Sequence, residues 1–593
     1  MENEVEVKMK ENKNNNFIFS NKVQLFKIDN DGKTNLHNAC ENGKISSEII
    51  KFLLSNKVNV NLQDKFGMTA LHYASMNHSE IEVVRALVER KADLNVIDNG
   101  GIGPLHYACE NKKINREMIK YLLENKLDAN MKDKYGWTPT HLAVKNEGID
   151  METMQTLLHY KSDLNIKTMD GKTCLHFACL NKNISVGIVK SLLLSKVKAN
   201  AKDQDGKTCL HFACLNKQIT SEIIELLLES KVDPNVETRN RWTCMHYLCE
   251  NLNANTEKLK LLIMYDGDVN LQSKFGRNCL HYACLNEKIN LEIIKMLINI
   301  VDTNTKDNYG RTCLHYACDN ENYSEQILKT LIEKIDINIT DNHQKSILHY
   351  ACENENISLA KIKLILSFKI DINLVDNYGK TALHYSSKNG KVNHEILKTM
   401  LYSGSQINVI DKFGKSSLLL LCENENLVFE DIHLFLEMKC SLNVKDKYGK
   451  NVIHYLCANK NVSTQLLNYL FSFSEFPLNL QNSFGKSCLH YIAKNENFQI
   501  DILKLLVSFN ADPHLLDNNG KSFLHYSAEN SCVDFPIFQF IVDSLFVDPS
   551  LPDNYGDNVL HYYCINKNLQ KKIVNYLIEK VDPTSRGISL FKQ

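Results

Sequence analysis

Apolar residues along the chain fall into two short clusters that alternate with polar stretches. The first cluster has the form Leu-His-aromatic-Ala-Cys, and the residue three positions before its His is Thr, Ser or Asn in nearly every copy. Such side chains cap the free N–H groups at a helix start, so this cluster predicts a helix of about two turns. The second cluster places apolar residues at helical spacing, as in Ile49, Ile50, Leu53 and Leu54. It predicts an amphipathic second helix.

The stretch between the second helix and the next first helix is rich in Asp, Asn and Gly. Residues Asp371 to Gly379 show the pattern Asp-x-Asn-x-x-Asp-x-x-Gly, and these residue types favour tight turns. We therefore expect a finger-like loop or hairpin that joins successive helix pairs.

The whole motif recurs sixteen times at intervals of about 35 residues. In one copy Leu419 stands where the His is expected. The other fifteen copies carry His37, His72, His106, His141, His176, His211, His246, His281, His315, His349, His384, His454, His490, His525 and His561. Neither helix of a copy is long enough to be stable by itself, so stability must come from stacking on neighbouring repeats.

The repeat resembles the ankyrin repeat, whose Thr-Pro-Leu-His-x-Ala signature is approximated sixteen times. The signature proline is present only at Pro104 and Pro139, but a proline there is favourable rather than required. The resemblance implies an all-α solenoid of stacked helix pairs, joined by finger loops or short β-hairpins, with a concave surface that binds proteins. We expect residues 31–587 to form the array, 1–30 a disordered segment with a capping half repeat, and 588–593 a tail.

Composition narrows the classes of function. The 593 residues have a formal net charge of −1, so no global basic field attracts nucleic acid. The N-terminal stretch lacks the apolar segment of a secretory signal, and no apolar run approaches the roughly 18 residues of a membrane span. The nineteen Cys are spread evenly, which favours reduced thiols. We expect a monomer in the cytoplasm or nucleus, without membrane insertion and without a nucleic-acid partner.

Several patterns imitate catalytic or metal-binding motifs. Gly-Lys-Thr or Gly-Lys-Ser occurs seven times, but the glycine that a phosphate-binding loop needs five residues earlier is missing each time. Five successive repeats, from Cys174 to Cys318, carry Cys-x-His-x-x-Cys, yet side chains at this spacing on one short helix point in different directions. A catalytic base is normally unique, whereas this His recurs, so each imidazole is expected to bond the helix start or the neighbouring finger. We expect no catalysis, no cofactor and no metal.

Function should lie at exposed positions that vary between repeats, and the finger tips are such positions. The residue before the tip glycine is aromatic in nine repeats, and the residue after it is basic in eleven. In repeats two to four, and again at Trp242, apolar residues replace the basic ones. Such a patch either contacts a partner, as a typical binding hot spot does, or is packed by neighbouring loops. The predicted partner-binding residues are Phe66, Met68, Ile102, Tyr135, Trp137 and Trp242. Arg241 and Gln344 replace the tip glycine where positive φ is favoured, so we expect local rearrangement there.

Three functional hypotheses follow. The first is a non-enzymatic scaffold for one or more protein partners. The second is an adaptor that delivers substrates to an enzyme complex such as a ubiquitin ligase, although no F-box or SOCS-box pattern is visible outside the repeats. The third is a sensor of a small ligand or nucleic acid, which needs basic and aromatic tips to converge, whereas a solenoid spreads them out.

Overall fold

The computed structural model describes residues 28–42, 46–56, 58–77, 80–251, 255–288, 291–391, 393–474 and 476–581. The capping half repeat expected within 1–30 lies almost wholly outside these ranges, as does the tail 588–593. The chain divides into two compact units, one ending at Asp302 and the other beginning at Thr303. The described residues of each unit contain eight helix pairs.

Odd-numbered helices of the first unit are the first helix of a repeat, and even-numbered helices are the second. The bounds are α1 Asn35–Glu41, α2 Ser47–Ser55, α3 Ala70–Met76, α4 Ile81–Glu89, α5 Pro104–Glu110, α6 Arg116–Glu124, α7 Pro139–Lys145, α8 Met151–His159, α9 Cys174–Leu180, α10 Val186–Leu194, α11 Cys209–Leu215, α12 Ser221–Glu229, α13 Cys244–Glu250, α14 Thr256–Met264, α15 Cys279–Leu285 and α16 Leu291–Ile298.

The second unit follows the same order. Its helices are α17 Cys313–Asp319, α18 Glu325–Ile332, α19 Ile347–Glu353, α20 Leu359–Leu366, α21 Ala382–Lys388, α22 His394–Tyr402, α23 Ser417–Glu423, α24 Phe429–Glu437, α25 Val452–Ala458, α26 Thr464–Phe471, α27 Cys488–Ala493, α28 Ile500–Ser508, α29 Phe523–Glu529, α30 Phe535–Gln539, α31 Val559–Cys564 and α32 Lys571–Lys580. Helix α30 continues into a π-helical turn, Phe540–Ser544.

The first helices begin where the cap residues predict. Thr34 precedes α1, and its hydroxyl accepts the N–H of His37 at 3.4 Å. In return the N–H of Thr34 donates to Nδ1 of His37 at 3.0 Å. Two N–H groups that a helix start leaves free are thereby bonded, which confirms the predicted capping role.

The core of each unit forms between equivalent helices of successive repeats. First helices pack on first helices, as α3 does on α1 and α5, and second helices pack on second helices. Leu71, Val84 and Leu87 are fully buried in these contacts. The all-α solenoid expected from the sequence is confirmed.

Asparagine at the end of the first helix links successive repeats through hydrogen bonds. The Nδ2 of Asn181 donates to the carbonyls of Val144 and Asn146 in the preceding repeat, both at 2.9 Å. Its Oδ1 accepts the N–H of Asn183 at 2.8 Å. Because buried carbonyls need partners, this side chain fixes the spacing between neighbours.

The fingers are loops rather than hairpins. Within the described ranges they form no β-strand, only three isolated antiparallel bridges that join Ile28 to Thr34, Ile410 to Ser416, and Leu516 to Ser522. The sequence predicted either a finger-like loop or a β-hairpin between successive helix pairs, and the structure shows the loop.

Candidate functional site

An aspartate and a glycine build each tight finger tip. In the finger before α3, Oδ1 of Asp64 accepts the N–H groups of Phe66 and Met68, both at 2.9 Å. Gly67 has φ of 79°, in the left-handed region that favours glycine. A Cβ at this position would lie 2.8 Å from the backbone nitrogen of Asn99 in the next finger. Successive tips are therefore closely stacked.

Arg241 and Gln344 keep this geometry despite their side chains. Their φ values are 59° and 61°, and the N–H of Arg241 donates to the carbonyl of Thr238 at 2.8 Å, as in a glycine tip. The expected local rearrangement is therefore wrong. The neighbouring fingers explain this at Arg241. The N–H of Arg239 donates to the Asp205 carbonyl of the preceding finger, and the N–H of Lys274 in the next finger donates to the Asn240 carbonyl, each at 2.8 Å.

The aromatic residue directly after the repeated His holds the finger against the first helix. The Tyr73 hydroxyl donates to Oδ2 of Asp64 at 2.7 Å, nine residues earlier. Over the Tyr73 ring lies Nζ of Lys33, the basic tip residue of the preceding repeat, at 4.5 Å from the ring centroid. The same Nζ bonds Glu41 at 2.7 Å. The tip cation of this repeat is thus placed by a ring and a carboxylate.

We call the row of tip cations over these rings the cation ladder. Its further members in the second unit are Arg311 over Tyr350, Lys345 over Tyr385, Lys415 over Tyr455, Lys450 over Tyr491, Lys486 over Tyr526 and Lys521 over Tyr562. These contacts were not predicted from the sequence. One signal was available in the sequence. An aromatic residue follows the repeated His, and an aspartate lies nine residues before that aromatic residue, as with Tyr73 and Asp64.

The two tryptophans take the place of cations in the ladder. The Trp137 ring lies 4.3 Å from that of Phe177, and Nζ of Lys145 lies 4.9 Å over the indole. The Trp242 ring lies 4.4 Å from that of Tyr282. Both indoles are therefore half-buried against neighbouring rings.

The other predicted site residues differ in exposure. Phe66 and Tyr135 are 55% and 65% exposed at their tips, and Ile102 is half-buried. Met68 is only 8% exposed and lies under the Tyr107 hydroxyl, 3.9 Å from its sulfur. The predicted exposure of Met68 is therefore wrong, because its side chain is buried and contacts the Tyr107 hydroxyl.

Comparison with protein-family models gives a match over most of the chain. A model described as ankyrin repeats in three copies matches residues 10–98, 82–168, 141–240, 175–266, 245–341, 321–411, 456–543 and 489–587. The chain is an ankyrin repeat protein. A comparison with curated proteins finds no match. The ankyrin matches omit 412–455, where Leu419 replaces His, yet α23 and α24 still form the repeat there.

The repeated histidines hold the ankyrin scaffold together. Nδ1 of His141 accepts the N–H of Thr138 at 3.0 Å, so its Nε2–H donates to the Ile166 carbonyl in the next finger at 3.1 Å. Burial lowers the pKa of His141 to about 4, which keeps the imidazole neutral near pH 7. The expectation that these imidazoles bond the helix start or the neighbouring finger is confirmed.

The cysteines occupy core positions of the ankyrin repeats. None of the nineteen, all of which lie in the described ranges, forms a disulfide, and sixteen are buried. Desolvation raises the pKa of Cys40 to about 12, so that thiol stays protonated. In the described part of the chain, no three His, Cys, Asp or Glu side chains converge as metal ligands would.

Exposed aromatic rings continue along four consecutive ankyrin fingers of the second unit. They belong to Tyr378, Phe413, Tyr448 and Phe484, and each lies two residues before a basic residue of the tip.

Each α-helix within the described ranges has at most ten residues, fewer than the roughly 20 that cross a bilayer.

Proposed function

We propose that this ankyrin protein is a non-enzymatic scaffold that binds one or more proteins on its finger surface, which we define as the finger tips and the adjoining first helices. The contrast between buried and exposed positions carries the proposal. Polar atoms of His141 and Asp64 are used in bonds within the array, whereas the Tyr135 ring faces solvent. Exposed aromatic side chains on a rigid support are typical binding anchors, and ankyrin repeats are generally protein–protein interaction modules.

We assign partner contact in the first unit to the predicted patch, with one change. Phe66 and Tyr135 are the exposed anchors, Ile102, Trp137 and Trp242 present partly covered surfaces, and Met68 supports the patch from beneath. We further propose that the protein acts as a monomer in the cytoplasm or nucleus, where reducing conditions suit cysteines that form no disulfide.

Photo-crosslinking in lysate of the native cells tests the scaffold. A photoreactive phenylalanine analogue is placed at Tyr135 in one sample and at Phe66 in another. The matched control carries it at Tyr402, which is 66% exposed on the second helix α22. Both tip positions should give the same protein adduct, and the control position should not.

Two outcomes would contradict the proposal. Adducts formed only at Tyr402 would move the binding surface to the second helices. Nucleic-acid adducts at Tyr135 and Phe66, without protein, would favour the sensor hypothesis instead.

A further inference from the structure

The second unit contains a groove between two neighbouring finger tips. A cavity of about 480 Å³ lies there, and its lining includes Lys380, Lys388, Tyr378, Tyr385 and Phe413. We call these five residues the tip groove. Two lysine side chains and three aromatic rings line the same cavity, so the groove can offer both charged and apolar contacts to a ligand.

The cations of the tip groove differ from their counterparts in other repeats. In four repeats the tip cation pairs with a glutamate eight residues later at 2.6 to 3.3 Å: Lys33 with Glu41, Lys345 with Glu353, Lys415 with Glu423 and Lys521 with Glu529. In the tip groove the eighth residue after Lys380 is Lys388. Neither lysine has an ion pair within the described ranges, so the groove presents two uncompensated positive charges.

The acidic residues that line the same cavity are already neutralised. Glu353 bonds Lys345, and Glu355 bonds Lys391, both at 2.8 Å. The net charge that faces a ligand is therefore positive, and it complements a carboxylate.

The aromatic wall of the tip groove is accessible. Tyr378 and Phe413 are 49% and 37% exposed, and their rings lie 6.4 Å apart with planes only 19° from parallel. Both rings therefore leave apolar surface exposed beside the cations, and this surface suits an aromatic or aliphatic side chain.

We propose that the tip groove binds an extended acidic peptide segment of a partner protein. A carboxylate of the segment lies between Lys380 and Lys388, and an apolar side chain two residues away packs on Tyr378 and Phe413. Residues i and i+2 of an extended chain face the same side at a spacing of about 6.6 Å, so both can enter one groove. This assignment rests on the proposed scaffold function and names the partner chemistry for one of its sites.

A peptide fits the groove better than single-stranded nucleic acid does. Nucleic acid also stacks on aromatic rings, but it brings a phosphate at every residue. The neighbouring tip cations Lys345 and Lys415 already pair with glutamates, so few unpaired cations remain for a continuous run of phosphates. A peptide needs a carboxylate only where the lysines are unpaired.

Fluorescence anisotropy of the full chain with a labelled peptide of three Glu-Ser-Phe-Ser units tests the assignment. The central variant is Lys388→Glu, which recreates the lysine–glutamate pair of the four other repeats and should therefore fold normally. It should weaken binding by at least about tenfold, because Lys380 is then neutralised. Tyr378→Ala should weaken binding as well. The matched control Lys398→Glu makes the same charge change at an exposed position of α22 and should leave affinity unchanged.

Other probes separate the alternatives. A peptide with Lys in place of Glu should not bind, and a thymidine oligonucleotide of similar length should bind more weakly than the acidic peptide. The assignment is overturned if the wild type does not bind the acidic peptide, or if Lys388→Glu binds this peptide as tightly as the wild type does. It is also overturned if the wild type binds the oligonucleotide more tightly than the peptide and Lys388→Glu abolishes oligonucleotide binding. Protein adducts at Tyr135 and Phe66 would persist in those cases if the scaffold proposal alone is right.

Discussion

Acidification from pH 7.5 to pH 5 should destabilise the repeat array, because the repeated imidazoles are held neutral. Burial lowers the pKa of five of them from 6.5 to about 4, namely His141, His211, His246, His315 and His454. A group whose pKa is lower in the folded state takes up a proton on unfolding. The contribution of the neutral imidazole to the free energy of unfolding is therefore fully present above pH 6.5 and is lost as the pH falls toward 4.

The size of the effect follows from the two protonation states. At pH 5 an unfolded imidazole is almost fully protonated, whereas these folded imidazoles are about one-tenth protonated. Unfolding should therefore take up about four protons through the five groups together. The loss of folding free energy relative to pH 7.5 is roughly 2 kcal/mol for each imidazole. Glu250, Asp319 and Asp431, whose pKa is raised by burial, act in the opposite direction because their folded state binds protons more readily than the unfolded state does.

Calorimetric unfolding in two buffers of different ionisation enthalpy measures the proton uptake directly. We expect about four protons or more at pH 5, with a falling melting temperature between pH 6.5 and 5. The variant His141→Leu, which copies the natural Leu419 of another repeat, should lower the uptake by about one proton. Uptake near zero in the wild type, or unchanged uptake in the variant, would refute the reasoning.

Three further predictions concern single positions. Asn181→Ala should lower the free energy of unfolding by about 1 to 3 kcal/mol, because two buried carbonyls lose their hydrogen-bond donor. Amide hydrogen exchange should become faster in α7 and α9. The control variant Asn183→Ala should change the free energy of unfolding little. Gln344→Gly should raise stability by about 1 kcal/mol in denaturant titrations by removing left-handed strain, whereas Gln344→Ala should not. A thiol reagent should modify Cys532 first in the native protein and the sixteen buried thiols only on unfolding, so rapid modification of more than three thiols would contradict the structure.

The helices could be predicted from the sequence because each signal is local. A cap residue such as Thr34 and the apolar spacing of Ile50, Leu53 and Leu54 act within one or two turns, and the structure places α1 and α2 accordingly. The tip at Arg241 was predicted wrongly because its conformation is not decided locally. Hydrogen bonds to the fingers on either side hold the turn against the strain of the side chain.

The cation ladder could not be predicted in the same way. Lys33 and Tyr73 are forty residues apart, and local patterns describe the first as a solvated tip and the second as a core residue. Their contact depends on how one repeat stacks on the next. Met68 and Trp137 show the same dependence, since they hold equivalent positions but one contacts the Tyr107 hydroxyl while the other stacks on Phe177.

The bonds between neighbouring repeats join equivalent atoms at a nearly constant separation along the chain. Asn146 and Asn181 both donate to the carbonyl 35 residues earlier, and to a second one 37 residues earlier. If recombination between gene segments deletes or duplicates one whole copy, each bond can re-form with the equivalent atom of the new neighbour. Spacings of 34 residues between His315 and His349 and of 36 between His454 and His490 are already accommodated. Array length, and with it the number of tips offered to partners, can therefore change in evolution without a redesign of the repeat.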